Sequence, residues 1–301
     1  MRKLNFLISL MTNENDYQLE QAHAAELAAA RLGVDIQILY AENDAITQST
    51  QLLRVIQADP KSHPDAIVFE PVGGTALPQV AKAAITAGIG WAVLNRDASY
   101  ISEFRHTTKV PIFGVSSDQI EVGNIAGRQC SALLPQGGSI LYIEGPSQNV
   151  VVKERRTGFD HSKPGNIHVT TLRGNWTEDS GLRAVRSWLS LQTSQKTAID
   201  LVVSQNDAMA MGARRAFQEL PNEVDRERWL KVPFLGCDGV PKTGQAWVRS
   251  GQLTATICIP PNTGMAMEMF VEALHHKKPQ PDRAFTEASS IPPIESLRPP
   301  K

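Results

Sequence analysis

The chain has 301 residues, 42% hydrophobic and 20% charged, with 30 Lys and Arg against 31 Asp and Glu for a formal net charge of −1. This composition excludes disorder, collagen and coiled coil, and the length suits two packed cores of roughly 100–150 residues each. The near-zero charge leaves no global field to draw the chain to nucleic acid or an anionic membrane, so a ligand is recognised locally.

The opening Met1-Arg2-Lys3 and the apolar run Leu4 to Met11 have the outline of a signal peptide, with Ala22-His23-Ala24 as a small-x-small site. The polar run Thr12 to Asp16 separates them, so Leu4 to Leu10 reads as a first β-strand. Tyr17 to Leu32 follows with Ala, Leu and Glu at helical spacing, and Gly33 supplies a C-cap. Asp35 to Tyr40 is a strand, Thr47 to Gln57 a helix, Ala66 to Phe69 a strand, Ala76 to Ala87 a helix, Trp91 to Leu94 a strand and Ile112 to Val115 a strand. Strands alternating with helices predict an α/β class with a parallel sheet built from right-handed crossovers.

A second series repeats the pattern. Asp118 to Leu134 is predicted helical, Ser139 to Ile143 a strand, Lys153 to Phe159 the start of a helix, and Val169 to Leu172 a strand. Helix Asp179 to Leu191 precedes strand Asp200 to Val203, helix Ala208 to Glu219 precedes Pro233 to Cys237, and helix Lys242 to Ser250 precedes Thr254 to Ile257. The tail adds a helix-like stretch, Pro260 to Leu274, and a weak strand near Ala284 to Thr286. Duplicated architecture predicts two similar Rossmann-like lobes with a ligand cleft between them and more than one chain crossing. The expected division is residues 1–115 with 260–285 for the N-terminal lobe and 116–259 with 286–301 for the C-terminal lobe.

Several chemistries lack their motifs. There is no Gly-x-Ser-x-Gly elbow, no P-loop, no Gly-x-Gly-x-x-Gly after a strand, and no histidine pair at i, i+4 with a glutamate between. Cys130, Cys237 and Cys258 fit neither a disulfide framework nor a zinc cluster, and they read as buried thiols. Gly73-Gly74 reads as a tight turn. No cofactor and no metal are implied.

Polar and aromatic residues do collect where strands end, which is where open α/β sheets bind ligands. Asn95-Arg96-Asp97 follows one strand, Gln205-Asn206-Asp207 another, and Asp238-Gly239 a third. Tyr17 beside Asn13 and Asn15, and Trp176 beside Asn175, add aromatics at loops that precede helices. A sugar needs this set: ring C–H faces stack on aromatic faces, and each hydroxyl is held between a carboxylate or amide oxygen and a guanidinium or amide N–H. Each of these residues is also a good helix N-cap or loop residue when taken alone.

Five segments together carry a family likeness. Leu94-Asn95-Arg96-Asp97 comes first, then Val115-Ser116-Ser117-Asp118 with Gly123 to Gly127, then Lys153 to Phe159. Gln205-Asn206-Asp207-Ala208-Met209-Ala210-Met211-Gly212-Ala213 and Gly236-Cys237-Asp238-Gly239 with Thr254 to Ile257 complete the set. From Leu4 to about Leu274 the chain resembles the type I periplasmic sugar-binding proteins, in the ribose-binding branch. The resemblance implies two lobes joined by a three-segment hinge that close on a monosaccharide or polyol. It implies Tyr17 and Trp176 as stacking aromatics, Arg96 and Arg155 as hydroxyl-binding arginines, Asn95, Asn206 and Asp238 as polar partners, and Asn13 and Asn15 as further ligand contacts. Two departures, Asn95 where the ribose binders carry Asp and Ile259 where they carry Gln, count against ribose itself rather than against a sugar or polyol. A buried hydroxyl left unpaired costs roughly 1–3 kcal/mol.

The expected function is a solute-binding protein that captures a small sugar or sugar-like ligand and presents it to an ABC permease or membrane receptor, as a monomer, with no nucleic acid and no catalysis. The alternative is a ligand-sensing module of the same fold in a signalling system. Repressors that share this core carry a helix-turn-helix ahead of it, and an enzyme using Asp207 or Asp238 as general base lacks a partner acid here. The resemblance implies a periplasmic or envelope location, and the missing clear signal peptide leaves the cytoplasm open. A cleft arginine anchors ligand without supporting a core, so Arg155→Ala is expected to abolish binding with the fold intact.

Overall fold

The computed structural model describes residues 2–300 apart from 74, 75, 97, 193, 195 and 196. The chain divides into two compact units, one running to Ser117 and resuming at Pro260–Thr286, the other spanning Asp118–Ile259 and the residues from Glu287 on. It passes from one to the other after Ser117, Ile259 and Thr286.

Unit 1 opens with β1 (Asn5–Leu10), α1 (Asp16–Leu32), β2 (Asp35–Tyr40), α2 (Ala45–Ile56), β3 (Ala66–Phe69), α3 (Pro78–Thr86), β4 (Gly90–Leu94), α4 (Tyr100–Thr107) and β5 (Ile112–Ser117). Unit 2 follows with α5 (Gln119–Leu133), β6 (Gly138–Glu144), α6 (Val150–Ser162), β7 (Ile167–Arg173), α7 (Glu178–Leu189) and β8 (Leu201–Ser204). It continues with α8 (Asp207–Gln218), α9 (Glu223–Leu230), β9 (Phe234–Leu235), α10 (Gly244–Arg249) and β10 (Thr256–Cys258). The chain then returns to unit 1 for α11 (Thr263–Leu274) and β11 (Arg283–Thr286), and ends in unit 2 with β12 (Ser289–Ile291).

The α/β expectation is borne out. Unit 1 holds a parallel six-stranded sheet in the order β11-β5-β4-β3-β1-β2, and unit 2 a parallel four-stranded sheet in the order β7-β6-β8-β9. Strands β3 and β4 are buried throughout, as parallel strands covered by helices on both faces must be. Alternation along β1 sends Phe6, Ile8 and Leu10 to the layer under α1 and α11, and Leu7 to the opposite layer with Ile67, Phe69 and Trp91. Phe270 of α11 packs its ring against Phe6 and Phe113, so a late segment completes a core begun at β1. Full burial of each such ring is worth about 1.5–3 kcal/mol.

In unit 2 the packing of α5 on α6 depends on glycine. A Cβ at Gly123 would run into the Arg155 carbonyl oxygen, and one at Gly158 into that of Ile120. The close approach fixes the helix that carries Arg155. Where a longer strand Pro233 to Cys237 was expected, β9 is short, because the chain beyond it leaves the ladder for single bonds, Gly236 N to Ala255 O and Asp238 N to Ile257 O, at 3.0 Å each.

Candidate functional site

In unit 1 the carboxyl ends of β1, β3 and β4 bring together the loop before α1, Glu70, and the pair Asn95 and Arg96. Asn15 is the N-cap of α1, its Oδ1 accepting from Tyr17 N at 2.9 Å and Gln18 N at 3.2 Å. The cap places half-buried Tyr17 in the first turn, and its hydroxyl donates to the carbonyl of Pro260 at 3.4 Å. Asn13 lies exposed in the loop ahead of it. Asn95 takes a left-handed conformation at φ 53°, uncommon for a residue with a side chain.

Glu70 is 6% exposed and sits at the centre of this half. Its Oε1 accepts from Asn95 Nδ2 at 3.1 Å, and its Oε2 from Gln18 Nε2 at 2.9 Å and Gln21 Nε2 at 3.4 Å. Burial pushes the carboxyl above its ordinary range, opposed by the bonds from Gln18 and Asn95 and by the charge of Arg96. Asp97 and Gly74 lie outside the described residues.

In unit 2 a connected cluster forms at the ends of β7, β8 and β9 together with α6. Arg155, 7% exposed, donates through Nε to Gln119 Oε1 at 2.8 Å and through Nη1 to the Gln205 carbonyl. Its Nη1 is 3.9 Å from Asp238 Oδ1, and its guanidinium carbon lies 5.8 Å from the Trp176 ring centroid. Trp176 has φ 64° and its ring closes on Gly145, where a Cβ would fall inside the indole. Asn206 caps α8 through Oδ1, accepting from Met209 N at 2.9 Å, and donates Nδ2 to the Trp176 carbonyl at 2.9 Å.

Asp238 has φ 105° and stays partly open, its side chain 17% exposed. Asp207 beneath it is closed in, with Oδ1 accepting from Thr256 Oγ1 at 2.6 Å and Oδ2 from Gly239 N at 2.8 Å. Burial, and after it the negative charge of Asp238, push the Asp207 carboxyl well above its ordinary range. A general base needs a free oxygen near solvent, and both Asp207 oxygens are already taken.

The structure therefore gathers Asn95 and Arg96 around Glu70 in unit 1, and Arg155, Trp176, Asn206 and Asp238 into one cluster in unit 2. Arg155 also bonds to Gln119 and to the Gln205 carbonyl within unit 2, contacts that bear on the expectation that its removal leaves the fold intact. Glu70 and Gln119 stand outside the residues singled out in the sequence, although Glu70 follows a strand just as Asn95 does, and Gln205, part of a strand-end run there, serves Arg155 through its carbonyl. Among the described residues there is no group of three or more His, Cys, Asp or Glu able to hold a metal, and no helix is long and apolar enough to cross a membrane.

The family model of the periplasmic binding protein domain matches residues 6–278. The chain belongs to that family. Among curated periplasmic binding proteins it is 24% identical over 276 residues to the ribose import binding protein of Bacillus subtilis, covering 91% of this chain and 82% of that one. It is 29% identical over 199 residues to a putative rhizopine-binding protein of Rhizobium meliloti, a match covering 64% of this chain and 60% of the relative's length. Among solved structures, the periplasmic solute-binding protein of an ABC transporter from Actinobacillus succinogenes, with bound D-allose, superposes with a TM-score of 0.81 at 20% identity. That superposition covers 98% of this chain and 99% of the other. The resemblance to the type I binding proteins read from the five segments is borne out at the level of family and fold.

Proposed function

We propose that this chain is the periplasmic binding protein of an ABC transporter for a small sugar or polyol, acting as a monomer without catalysis and without nucleic acid. The observation that carries the reading is that each unit sets one aromatic ring and a group of carboxylate, amide and guanidinium side chains at the carboxyl ends of its own parallel strands. Rings suit sugar C–H faces, and the mixed acceptors and donors suit hydroxyls, which are both at once. The ligands for which these relatives are named or with which they were solved, ribose, rhizopine and D-allose, support the same ligand class.

On this reading Tyr17, Glu70, Asn95 and Arg96 form the ligand contacts of unit 1, and Arg155, Trp176 and Asp238 those of unit 2. Asn15 and Asn206 spend their side-chain oxygens on helix caps, so they position Tyr17 and Trp176, and Asn13 is free to reach a ligand from the loop.

A thermal-shift screen of the purified chain against D-ribose, D-allose, D-xylose, xylitol and myo-inositol tests the proposal. At about a hundred times its dissociation constant, a true ligand adds roughly 2.7 kcal/mol of stability, several degrees in the melting curve. A melting curve that none of the five moves would overturn the sugar and polyol reading.

A further inference from the structure

The amino end of α11 departs from the habit of this chain. Asparagine is favoured at helix N-caps because its side-chain oxygen accepts a free N–H of the first turn. Asn15, Asn149, Asn206 and Asn222 all cap in that way. Asn262 occupies the same position on α11 and makes no such bond. The capping is done from another helix: Gln21 Oε1 on α1 accepts from Asn262 N at 2.8 Å and Thr263 N at 3.1 Å. The Asn262 carboxamide, fully buried, is thereby released for another task.

That task is a line of hydrogen bonds with one direction. Thr286 donates its hydroxyl to Asn262 Oδ1 at 2.8 Å, and Asn262 Nδ2 donates to Asn95 Oδ1. Thr286 has a single proton and has given it to Asn262, so the Ser117 hydroxyl, 2.8 Å away, is the donor in their pair. Asn95 then donates to Glu70 Oε1. Read from one end, the order is Ser117 to Thr286 to Asn262 to Asn95 to Glu70, and the last member is a carboxylate that only accepts. Bonds aligned in this way polarise and strengthen one another, and a buried member left unpaired is costly.

The two ends of the line are different kinds of place. Glu70 and Asn95 lie at the candidate ligand site, while Ser117 and Thr286 are the last residues of unit 1 before the chain leaves it. We infer that Asn262 is a positioning residue: it forgoes the cap of its own helix to hold the Asn95 carboxamide, and so ties the orientation of Asn95 and Glu70 to the hydroxyls at two exits from unit 1. The consequence for ligand capture rests on the binding reading above. A displacement of either exit strand is felt at Asn95, and a ligand that engages Asn95 is felt at the exits, by the reciprocity of coupled sites.

The test uses the full chain, labelled with nitrogen-15 and free of added sugar, so it stands apart from the screen that tests the binding reading. The reporter is the side-chain amide of Asn95, assigned by its loss in Asn95→Asp. Thr286→Val keeps the shape of the side chain and removes the hydroxyl, while Thr286→Ser keeps the hydroxyl and removes a methyl group. Thr286→Val is expected to shift the Asn95 amide resonances and to speed their exchange with water about tenfold, the effect of one lost buried hydrogen bond. Thr286→Ser is expected to leave them as in the parent. Ser117→Ala, which removes the next hydroxyl in line, is expected to move the same resonances in the same sense. Unmoved resonances in Thr286→Val and Ser117→Ala, or equal movement in the valine and serine variants, would overturn the inference.

Discussion

Asn206 holds Trp176 by its backbone: the asparagine Nδ2 donates to the tryptophan carbonyl at 2.9 Å while its Oδ1 caps α8. The two ends of one side chain thus serve a helix and a left-handed aromatic residue at φ 64°. Asn206→Asp separates the two duties, since a carboxylate caps a helix at least as well but has no N–H to offer. Because Asn206 is buried, the variant leaves the Trp176 carbonyl facing a carboxylate with no donor, and the unfolding free energy of the ligand-free protein is expected to fall by roughly 1–3 kcal/mol. Affinity for the sugar that moves the melting curve is expected to fall about tenfold by titration calorimetry, the worth of one lost hydrogen bond.

Two of the five Arg155 N–H groups are taken by Gln119 and by the Gln205 carbonyl in a buried setting, so the residue has a structural part to play beside the ligand contact proposed for it. Arg155→Ala is expected to abolish sugar binding and also to lower the ligand-free unfolding free energy by roughly 1.5–3 kcal/mol, the range for a lost charge-assisted bond. Urea denaturation of the ligand-free variant measures the second effect. An unchanged midpoint would return Arg155 to a purely ligand-binding role.

Trp176 has its ring against Gly145, which leaves no room for a methyl group. Gly145→Ala is expected to displace the indole, changing tryptophan emission and weakening sugar binding at least tenfold, with the sheet of unit 2 intact by circular dichroism. Parent-like affinity in the alanine variant would show that the indole position is immaterial to binding.

Asp207 gives a pH signature. Its folded-state pKa is raised by burial and by the charge of Asp238, so between the unfolded value near 3.9 and the folded one the native state holds the proton that the unfolded chain has released. Stability from this group is full at acid pH, declines as pH rises through that window, and is flat above it. Asp207→Asn removes the titration, so the difference in melting temperature between parent and variant is expected to vary with pH across that window and level off above it. A difference that stays constant from pH 4 upward would show that Asp207 titrates as an ordinary exposed acid.

The strands were readable because each is a short apolar run bounded by polar or glycine residues, as in Ala66 to Phe69. Helix α9 was not, because Glu223–Leu230 offers only Val224, Trp229 and Leu230 among charged residues, and β12 is three residues long with two serines. At the site, strand-end position picked out Asn95, Arg96 and Asp238. The same rule would have found Glu70, but Pro71 and the glycines after it made that loop look like a turn and nothing more. Asn15 and Asn206 could not be resolved from sequence for a physical reason: a capping amide and a ligand-binding amide are the same residue type at the same end of a helix. Only the accepted N–H groups tell them apart.

The ring of Phe270 between Phe6 and Phe113 also sets an order of events during synthesis. Helix α11 reaches unit 1 only after the main body of unit 2 has been made, so Phe6 and Phe113 wait for their partner while about 150 further residues leave the ribosome, some 10–30 s at ordinary rates. Unit 2 gathers most of its own sheet meanwhile. The half-built first unit must keep its apolar face shielded through that interval, and a chain held in this unfinished state is the form best suited to handling by chaperones.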